Sequence, residues 1–149
     1  MSGTETELGT VAMFDASDDT IAMMRALLTE AGASQSLIHC SFVDLKREIT
    51  DFRKYLVAHN PEVVIFDISP PYDENWTFFT IVRDSAAMQG RGVVLTTTSK
   101  KHLDELIGED SHALEVTSTL MDRALILQEI KAATRVARTA RRQVGDSTP

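Results

Sequence analysis

Short apolar runs alternate along the chain with longer stretches in which apolar residues recur every three or four positions. The runs at 10–14, 37–40, 63–66, 93–96 and 113–117 each predict a β-strand. After each run, the spacing of the apolar residues predicts an amphipathic α-helix. The second helix is expected to open at Asp44, and Asp73 or Asn75 is expected to cap the third. Strand and helix therefore alternate, a pattern typical of an α/β fold with a parallel sheet and right-handed crossover connections.

The third apolar run is the most informative part of this pattern, because it ends abruptly in a single carboxylate. Residues 63–66 are apolar at every position, as expected for a central strand that is covered on both faces of the sheet. Asp67 follows, and Pro70 and Pro71 then prevent further regular structure. Open α/β sheets bind ligands at the carboxyl ends of their strands, so Asp67 is a candidate functional residue. An ordinary turn-forming aspartate is the alternative.

The predicted fold is a flavodoxin-like, doubly wound sheet of five parallel strands in the order 2-1-3-4-5, with helices on both faces. In this order the first and third strands are neighbours. Asp15 ends the first and Asp67 ends the third, so their side chains should converge on one crevice. Two carboxylates about 4 Å apart repel by roughly 4 kcal/mol at an effective dielectric constant near 20. We therefore expect a hard divalent cation between them, and Mg²⁺ suits carboxylates, waters and a phosphate oxygen.

The fourth predicted strand ends in a hydroxyl residue, Thr96. Mg²⁺ at the two carboxylates would assist phosphoryl transfer to one of them, and the Thr96 hydroxyl would then hold a phosphoryl oxygen. The alternative is that Thr96 is simply a β-branched strand residue. No glycine-rich phosphate-binding loop is present in the sequence, which disfavours a dinucleotide-binding or NTP-binding fold.

Composition narrows the class of protein further. A chain of 149 residues fits one domain, which we place at 10–142, with polar tails at 1–9 and 143–149. The formal net charge of −7 argues against DNA as a partner, and no apolar run is long enough to span a membrane. A single cysteine, Cys40, excludes an intramolecular disulfide, which is consistent with the reducing cytoplasm.

Together these residues resemble the receiver domain of bacterial two-component response regulators, of the chemotaxis-regulator type. The resemblance covers residues 11–136 and rests on the element order, on Asp15, on Asp67 with its following prolines, and on Thr96. It implies that Asp67 is the phosphoacceptor and that the protein is a signalling domain, not an enzyme. It further implies that Asp15, Asp67 and the backbone carbonyl of Ser69 bind Mg²⁺, and that the Thr96 hydroxyl moves toward the phosphoryl group.

Three positions depart from the family pattern. Ala16 stands where the family usually has a second acid, Thr119 where it has a lysine, and Val116 where it has an aromatic switch residue. With one negative ligand fewer, Mg²⁺ should bind weakly, and without the lysine the phosphoryl group loses a charge-assisted contact. The departures support an alternative, a degenerate receiver that binds a partner regardless of phosphorylation. A different flavodoxin-like module with a small phosphorylated ligand is a third alternative.

The resemblance also implies partners. A histidine kinase or a phosphotransfer protein would donate the phosphoryl group, and the domain is expected to be a monomer or a weak homodimer. The last helix carries a basic stripe, which predicts either a docking site for an acidic output partner or for self-association, or a solvated helix face. The stripe consists of Lys131, Arg135, Arg138 and Arg142.

Overall fold

The computed structural model describes residues 8–14, 18–32, 37–40, 49–68, 70–108, 114–115 and 123–146. Strands and helices alternate in it, which confirms the predicted α/β class. In chain order the elements are β1 (Val11–Phe14), α1 (Asp18–Glu30), β2 (Leu37–Cys40), α2 (Ile49–His59), β3 (Val63–Ile68), α3 (Tyr72–Arg83), a 3-10 turn (Ala86–Met88), β4 (Gly92–Thr97), α4 (Lys100–Ile107), β5 (Leu114–Glu115) and α5 (Arg123–Asp146).

The strands form one parallel sheet in the order β2-β1-β3-β4-β5. The central strand, β3, pairs with β1 on one side and with β4 on the other. Phe66 lies opposite Phe14 of β1, and Asp67 lies opposite Thr96 of β4. The order of the strands therefore brings the carboxyl ends of β1, β3 and β4 to the same edge of the sheet.

Alternate residues of β3 enter two separate apolar cores, which explains why the run is apolar at every position. Val63 and Ile65 pack with residues of α1 and α5 on one face of the sheet. Val64, Phe66 and Ile68 pack with residues of α2, α3 and α4 on the other face. Each such side chain contributes about 1.5–3 kcal/mol when it is fully buried. The sheet is thus covered on both faces, and all six residues of β3 are buried.

Helix α3 begins differently from the sequence-based prediction. Asp73 or Asn75 was expected to cap it, but the N-cap position is Pro71, in an extended conformation and without a side-chain cap. The Pro71 carbonyl accepts the backbone N–H of Asn75 at 3.1 Å. The helix therefore starts at Tyr72, directly after the two prolines, and Asp73 lies in its first turn, where a carboxylate is favourable.

The structure also describes residues on both sides of the predicted domain, 10–142, whose limits stay a prediction. Leu8 is buried in the first core, and the backbone N–H of Gly9 donates to the Thr134 hydroxyl at 3.1 Å. At the other end, α5 continues to Asp146. The predicted opening of the second helix at Asp44 lies outside the described residues. None of the described helices is long and apolar enough to cross a membrane.

The basic stripe predicted on α5 is interrupted by an ion pair. Arg138 Nε donates to Glu62 Oε2 at 2.8 Å, and both side chains are largely buried. This contact lowers the pKa of the Glu62 carboxyl, mainly through the hydrogen bond from Arg138 and against the effect of burial. Arg138 therefore fixes α5 to the start of β3 and is not part of a free docking stripe, whereas Arg135 is exposed.

Replacing Arg138 with glutamine is expected to lower the free energy of unfolding by about 1–2 kcal/mol at neutral pH, because Glu62 loses its charged partner. Since the folded state holds the pKa of Glu62 below its ordinary value of 4.5, the loss should shrink as the pH falls through that lowered pKa. Urea unfolding across this pH range measures the loss of unfolding free energy. The matched control is Arg135→Gln, an exposed arginine one turn away, which should cost little at any pH. Equal losses in both variants would contradict the assignment.

Candidate functional site

Asp67 lies at the carboxyl edge of the central strand, one residue before that strand ends. The sequence predicted that β3 would end at Phe66, but the strand continues to Ile68, because Ile68 lies opposite Thr97 of β4. Asp67 is consequently inside the sheet and only 1% exposed. A carboxylate at this depth needs a hydrogen-bond partner or a cation to offset its loss of water.

Thr96 provides that partner. Its hydroxyl donates to Asp67 Oδ1 over 2.6 Å, a distance typical of a strong hydrogen bond between a hydroxyl and a carboxylate. The bond follows from the register, in which the two residues lie opposite each other on neighbouring parallel strands. Thr96 itself has no exposed surface. The structure therefore brings together two of the residues that the sequence singled out, 29 positions apart in the chain.

The environment of Asp67 opposes its ionisation. Burial raises the pKa of the Asp67 carboxyl, and the hydrogen bond from Thr96 lowers it by a smaller amount. A bound cation acts in the same direction as this hydrogen bond, because an opposite charge favours the ionised form. The charge state of the Asp67 carboxyl therefore depends on the Thr96 hydroxyl and on whether a cation is bound beside it.

The other predicted site positions lie outside the described residues: Asp15, Ala16, Ser69, Val116 and Thr119. The Mg²⁺ site formed by Asp15, Asp67 and the Ser69 carbonyl thus stays a prediction. Among the described residues, Phe14, the last residue of β1, lies beside Phe66, which precedes Asp67. Within the described ranges, no group of three or more histidine, cysteine, aspartate or glutamate side chains is placed to hold a metal ion.

Three hydroxyl residues that follow Thr96 also contact the surroundings of the site, and their roles were not predicted from the sequence. Thr97 donates to the Ile68 carbonyl at 2.8 Å, and Thr98 shares a hydrogen bond with the Tyr72 hydroxyl at 3.0 Å. Ser99 caps α4 by accepting the backbone N–H of His102. The signal was present in the sequence as four consecutive hydroxyl residues that run from the end of a strand to the start of a helix, the last of them a favoured N-cap type.

Two aromatic residues of α3 near the site have different roles. The Tyr72 ring stacks on the His102 ring of α4, with centroids 5.4 Å apart and planes 15° from parallel. Trp76 packs on Phe79 at 5.5 Å between centroids, at the margin of the second core. Tyr72 is therefore the aromatic side chain that joins α3 to the segment after β4, and Trp76 has a packing role.

Comparison with known proteins relates this chain to others through its fold alone. No protein-family model matches the sequence, and no curated protein matches it significantly. Among solved structures, one described as a transiently phosphorylated "switch" in bacterial signal transduction aligns with a TM-score of 0.53 at 15% identity. The alignment covers 87% of this chain and 97% of that one. A response regulator protein from Burkholderia multivorans aligns with a TM-score of 0.50 at 14% identity, covering 84% of this chain and 94% of that one.

These similarities agree with the resemblance seen in the sequence. The chain has the fold of a response regulator receiver domain, along nearly the whole length of both neighbours. At such low sequence identity the similarity concerns architecture. The chemistry of the site has to be argued from its own residues.

Proposed function

We propose that the chain is a receiver domain that accepts a phosphoryl group on Asp67 in two-component signalling. The observation that carries the proposal is the Asp67–Thr96 pair, a carboxyl group and a hydroxyl group 2.6 Å apart at the carboxyl edge of a central parallel strand. Ligands bind to open α/β sheets at this edge. The similarity in fold to phosphorylated and response-regulator proteins supports the same assignment.

The proposed reaction needs the ionised form of Asp67, because the carboxylate is the nucleophile. One carboxylate oxygen attacks phosphorus and forms an acyl phosphate, while the bond from phosphorus to the donor breaks. With a phosphohistidine donor, the bonding electron pair returns to the imidazole nitrogen, which takes up a proton from solvent. The Thr96 hydroxyl, which now donates to Asp67 Oδ1, is placed to donate to a phosphoryl oxygen afterwards. A histidine kinase or a phosphotransfer protein is the donor that fits this chemistry.

Mg²⁺ would be held by Asp67 together with Asp15 and the backbone carbonyl of Ser69. Carboxylate and carbonyl oxygens are suitable ligands for this ion, which supplies neutralisation of charge on the transferred group. Asp67 fits this role because burial disfavours its ionised form, and a positive charge beside it would offset that effect. Weak binding is expected, since the sequence has Ala16 where the resembled family usually has a second acid.

The direct test is incubation with acetyl phosphate and Mg²⁺ followed by intact-mass measurement. The protein should gain the mass of one phosphoryl group, and the Asp67→Asn variant should gain none. Asp73→Asn is the matched control, because it removes an exposed carboxylate from the first turn of α3 and should leave the modification unchanged. Absence of any mass gain under conditions that modify an ordinary receiver domain would refute phosphoryl acceptance.

A second candidate function is favoured by the closed state of the site. Asp67 is 1% exposed, and one of its oxygens already accepts a hydrogen bond. A domain that keeps this pair closed would bind its partner regardless of phosphorylation, as the departures at Ala16 and Thr119 also suggest. In that case Asp67→Asn, which keeps an oxygen that can accept from Thr96, should leave partner affinity unchanged. Loss of partner binding in this variant would exclude the second candidate.

A further inference from the structure

An open cleft lies where β3 and β4 begin, at the opposite edge of the sheet from Asp67. Its lining comes from Asn60 and the turn at 89–91, which precede these two strands, and from Arg141 and Gln143 near the end of α5. Its volume is about 630 Å³, within the range of roughly 300–1,000 Å³ that small-molecule sites occupy. The cleft is therefore separate from the candidate site and large enough for a small ligand.

Arg91 is fixed in this cleft by neutral acceptors. Its Nε donates to the Ala87 carbonyl at 2.9 Å, its Nη1 to Asn60 Oδ1 at 2.9 Å and to the Pro61 carbonyl at 2.6 Å, and its Nη2 to the Leu56 carbonyl at 3.3 Å. These bonds use four of its five N–H donors. Among the described residues, no carboxylate is hydrogen-bonded to the Arg91 guanidinium, so its charge is held in place without a direct counter-ion.

A second guanidinium, that of the exposed Arg141, adds to the positive charge of the cleft. Burial is the main cause that lowers the pKa of the Arg91 guanidinium, and the charge of Arg141 lowers that pKa further. Glu62 interacts with Arg141, but its carboxylate is hydrogen-bonded to Arg138, whose effect on the pKa of Glu62 is larger. Because arginine keeps its proton at neutral pH, the cleft holds two positive charges that repel each other.

We propose that this cleft binds a small organic phosphate of sugar-phosphate size, whose phosphate group lies between Arg91 and Arg141. The planar guanidinium fork of arginine matches the geometry of a phosphate group, and the charge-assisted hydrogen bonds between them are strong. Arg91 is already fixed by its carbonyl partners, so its side chain loses little entropy when the ligand binds. The anion would also offset the repulsion between the two guanidinium groups.

The rest of the lining suits the organic part of such a ligand. Asn60, Gln89 and Gln143 contribute side-chain amides, each of which both donates and accepts hydrogen bonds, as sugar hydroxyls do. None of the described lining residues is aromatic, so a nucleobase would find no ring on which to stack. The composition of the cleft therefore favours a sugar phosphate over a nucleotide. This binding does not depend on phosphoryl acceptance at Asp67, which lies at the other edge of the sheet.

The experiment is a titration of the full chain with ribose 5-phosphate, followed by NMR at the backbone amides. The amides of Gly90 and Arg91 should shift with a Kd of about 1 mM or lower, whereas the amide of Thr97, at the opposite edge of the sheet, should not shift. Ribose should cause no shift. Inorganic phosphate should bind at least about three-fold more weakly, because it lacks hydroxyl groups that contact the amides of the cleft.

Arg141→Gln should raise the Kd for ribose 5-phosphate about ten-fold or more, because it removes a charged partner of the phosphate group. Arg142→Gln is the matched control, since it removes the same charge from the next residue of α5, which is exposed and outside the lining, and it should change the Kd less than about two-fold. Equal losses in the two variants, or no shift at Gly90 and Arg91, would overturn the site. Inorganic phosphate that binds as tightly as ribose 5-phosphate would overturn the class of ligand.

Discussion

Replacing Gly92 with alanine is expected to destabilise the fold by about 3 kcal/mol or more, because the new methyl group would collide with the backbone of α5. A Cβ atom on Gly92 would lie 2.7 Å from Ala133 Cβ and closer still to the Ala133 carbonyl oxygen. A flexible side chain could move aside, but a helix carbonyl can do so only if α5 shifts away from β4. Against a typical total stability of about 5–15 kcal/mol, this is a large loss.

Gly90→Ala is the matched control for this prediction. Gly90 has a positive φ of 79°, so alanine there carries the cost of a left-handed backbone, about 1 kcal/mol, but its Cβ would meet open space. Thermal or urea unfolding of both variants compares the two costs, and Gly92→Ala should be clearly the less stable. If the two variants are equally stable, β4 and α5 are not in the close contact that the structure gives them.

The second large effect is expected at Asp67, and it has the opposite sign. Asp67→Asn should abolish phosphoryl acceptance and yet stabilise the fold at neutral pH, on the order of 1 kcal/mol. Burial raises the pKa of the Asp67 carboxyl in the folded state, so the folded chain keeps the proton at pH values where the unfolded chain has released it. Asparagine removes the buried charge and retains an oxygen that can accept from Thr96.

The pH dependence of this stabilisation tests whether ionisation of Asp67 is its cause. Because the folded pKa lies above the ordinary value of 3.8, the parent protein loses stability as the pH rises from about that value through the raised pKa. The asparagine variant does not have this loss, so its advantage should be greatest at neutral pH and should vanish below the ordinary value, where the acid is neutral in both states. Urea unfolding from acid to neutral pH measures the difference. An advantage that does not depend on pH would mean that ionisation of Asp67 is not its source.

A strand or helix could be predicted from the sequence where its own residues show the apolar pattern of that element. The run 63–66 is apolar at every position, and the structure uses all of it, in two cores on opposite faces. Helix ends were predicted less well. Asp73 was a plausible cap by residue type, but the extended Pro71 places the start of α3 at Tyr72.

The residues of the candidate site that lie at the ends of strands could be predicted from the sequence. Asp67 and Thr96 each end an apolar run, and a parallel sheet places such ends at one edge, where the structure finds the two side chains hydrogen-bonded. The hydrogen bond between Thr98 and Tyr72 was not predicted, because the two residues lie 26 positions apart in the chain and nothing local identifies that contact.

The basic stripe on α5 shows why helical spacing alone was insufficient. Spacing assigned Arg138 and Arg135 to the same set, yet Arg138 is paired with Glu62, 76 residues away, and Arg135 is exposed. Arg91 is a second example, because it belongs to no motif in the sequence. Its guanidinium donates to the carbonyls of Ala87 and Pro61 at 2.9 Å and 2.6 Å.

By itself, the sequence determined the alternation of strands and helices, the parallel class of the sheet, and the position of a carboxylate at the end of its central strand. These features follow from the period of apolar residues and from chain-breaking residues, which act over a few neighbouring positions. Only the tertiary structure decided that Asp67 is buried with Thr96 as its partner, which arginine is paired, and how Tyr72 is joined to α4. Burial, ionisation and hydrogen bonding depend on groups that are distant along the chain, and folding alone brings those groups together.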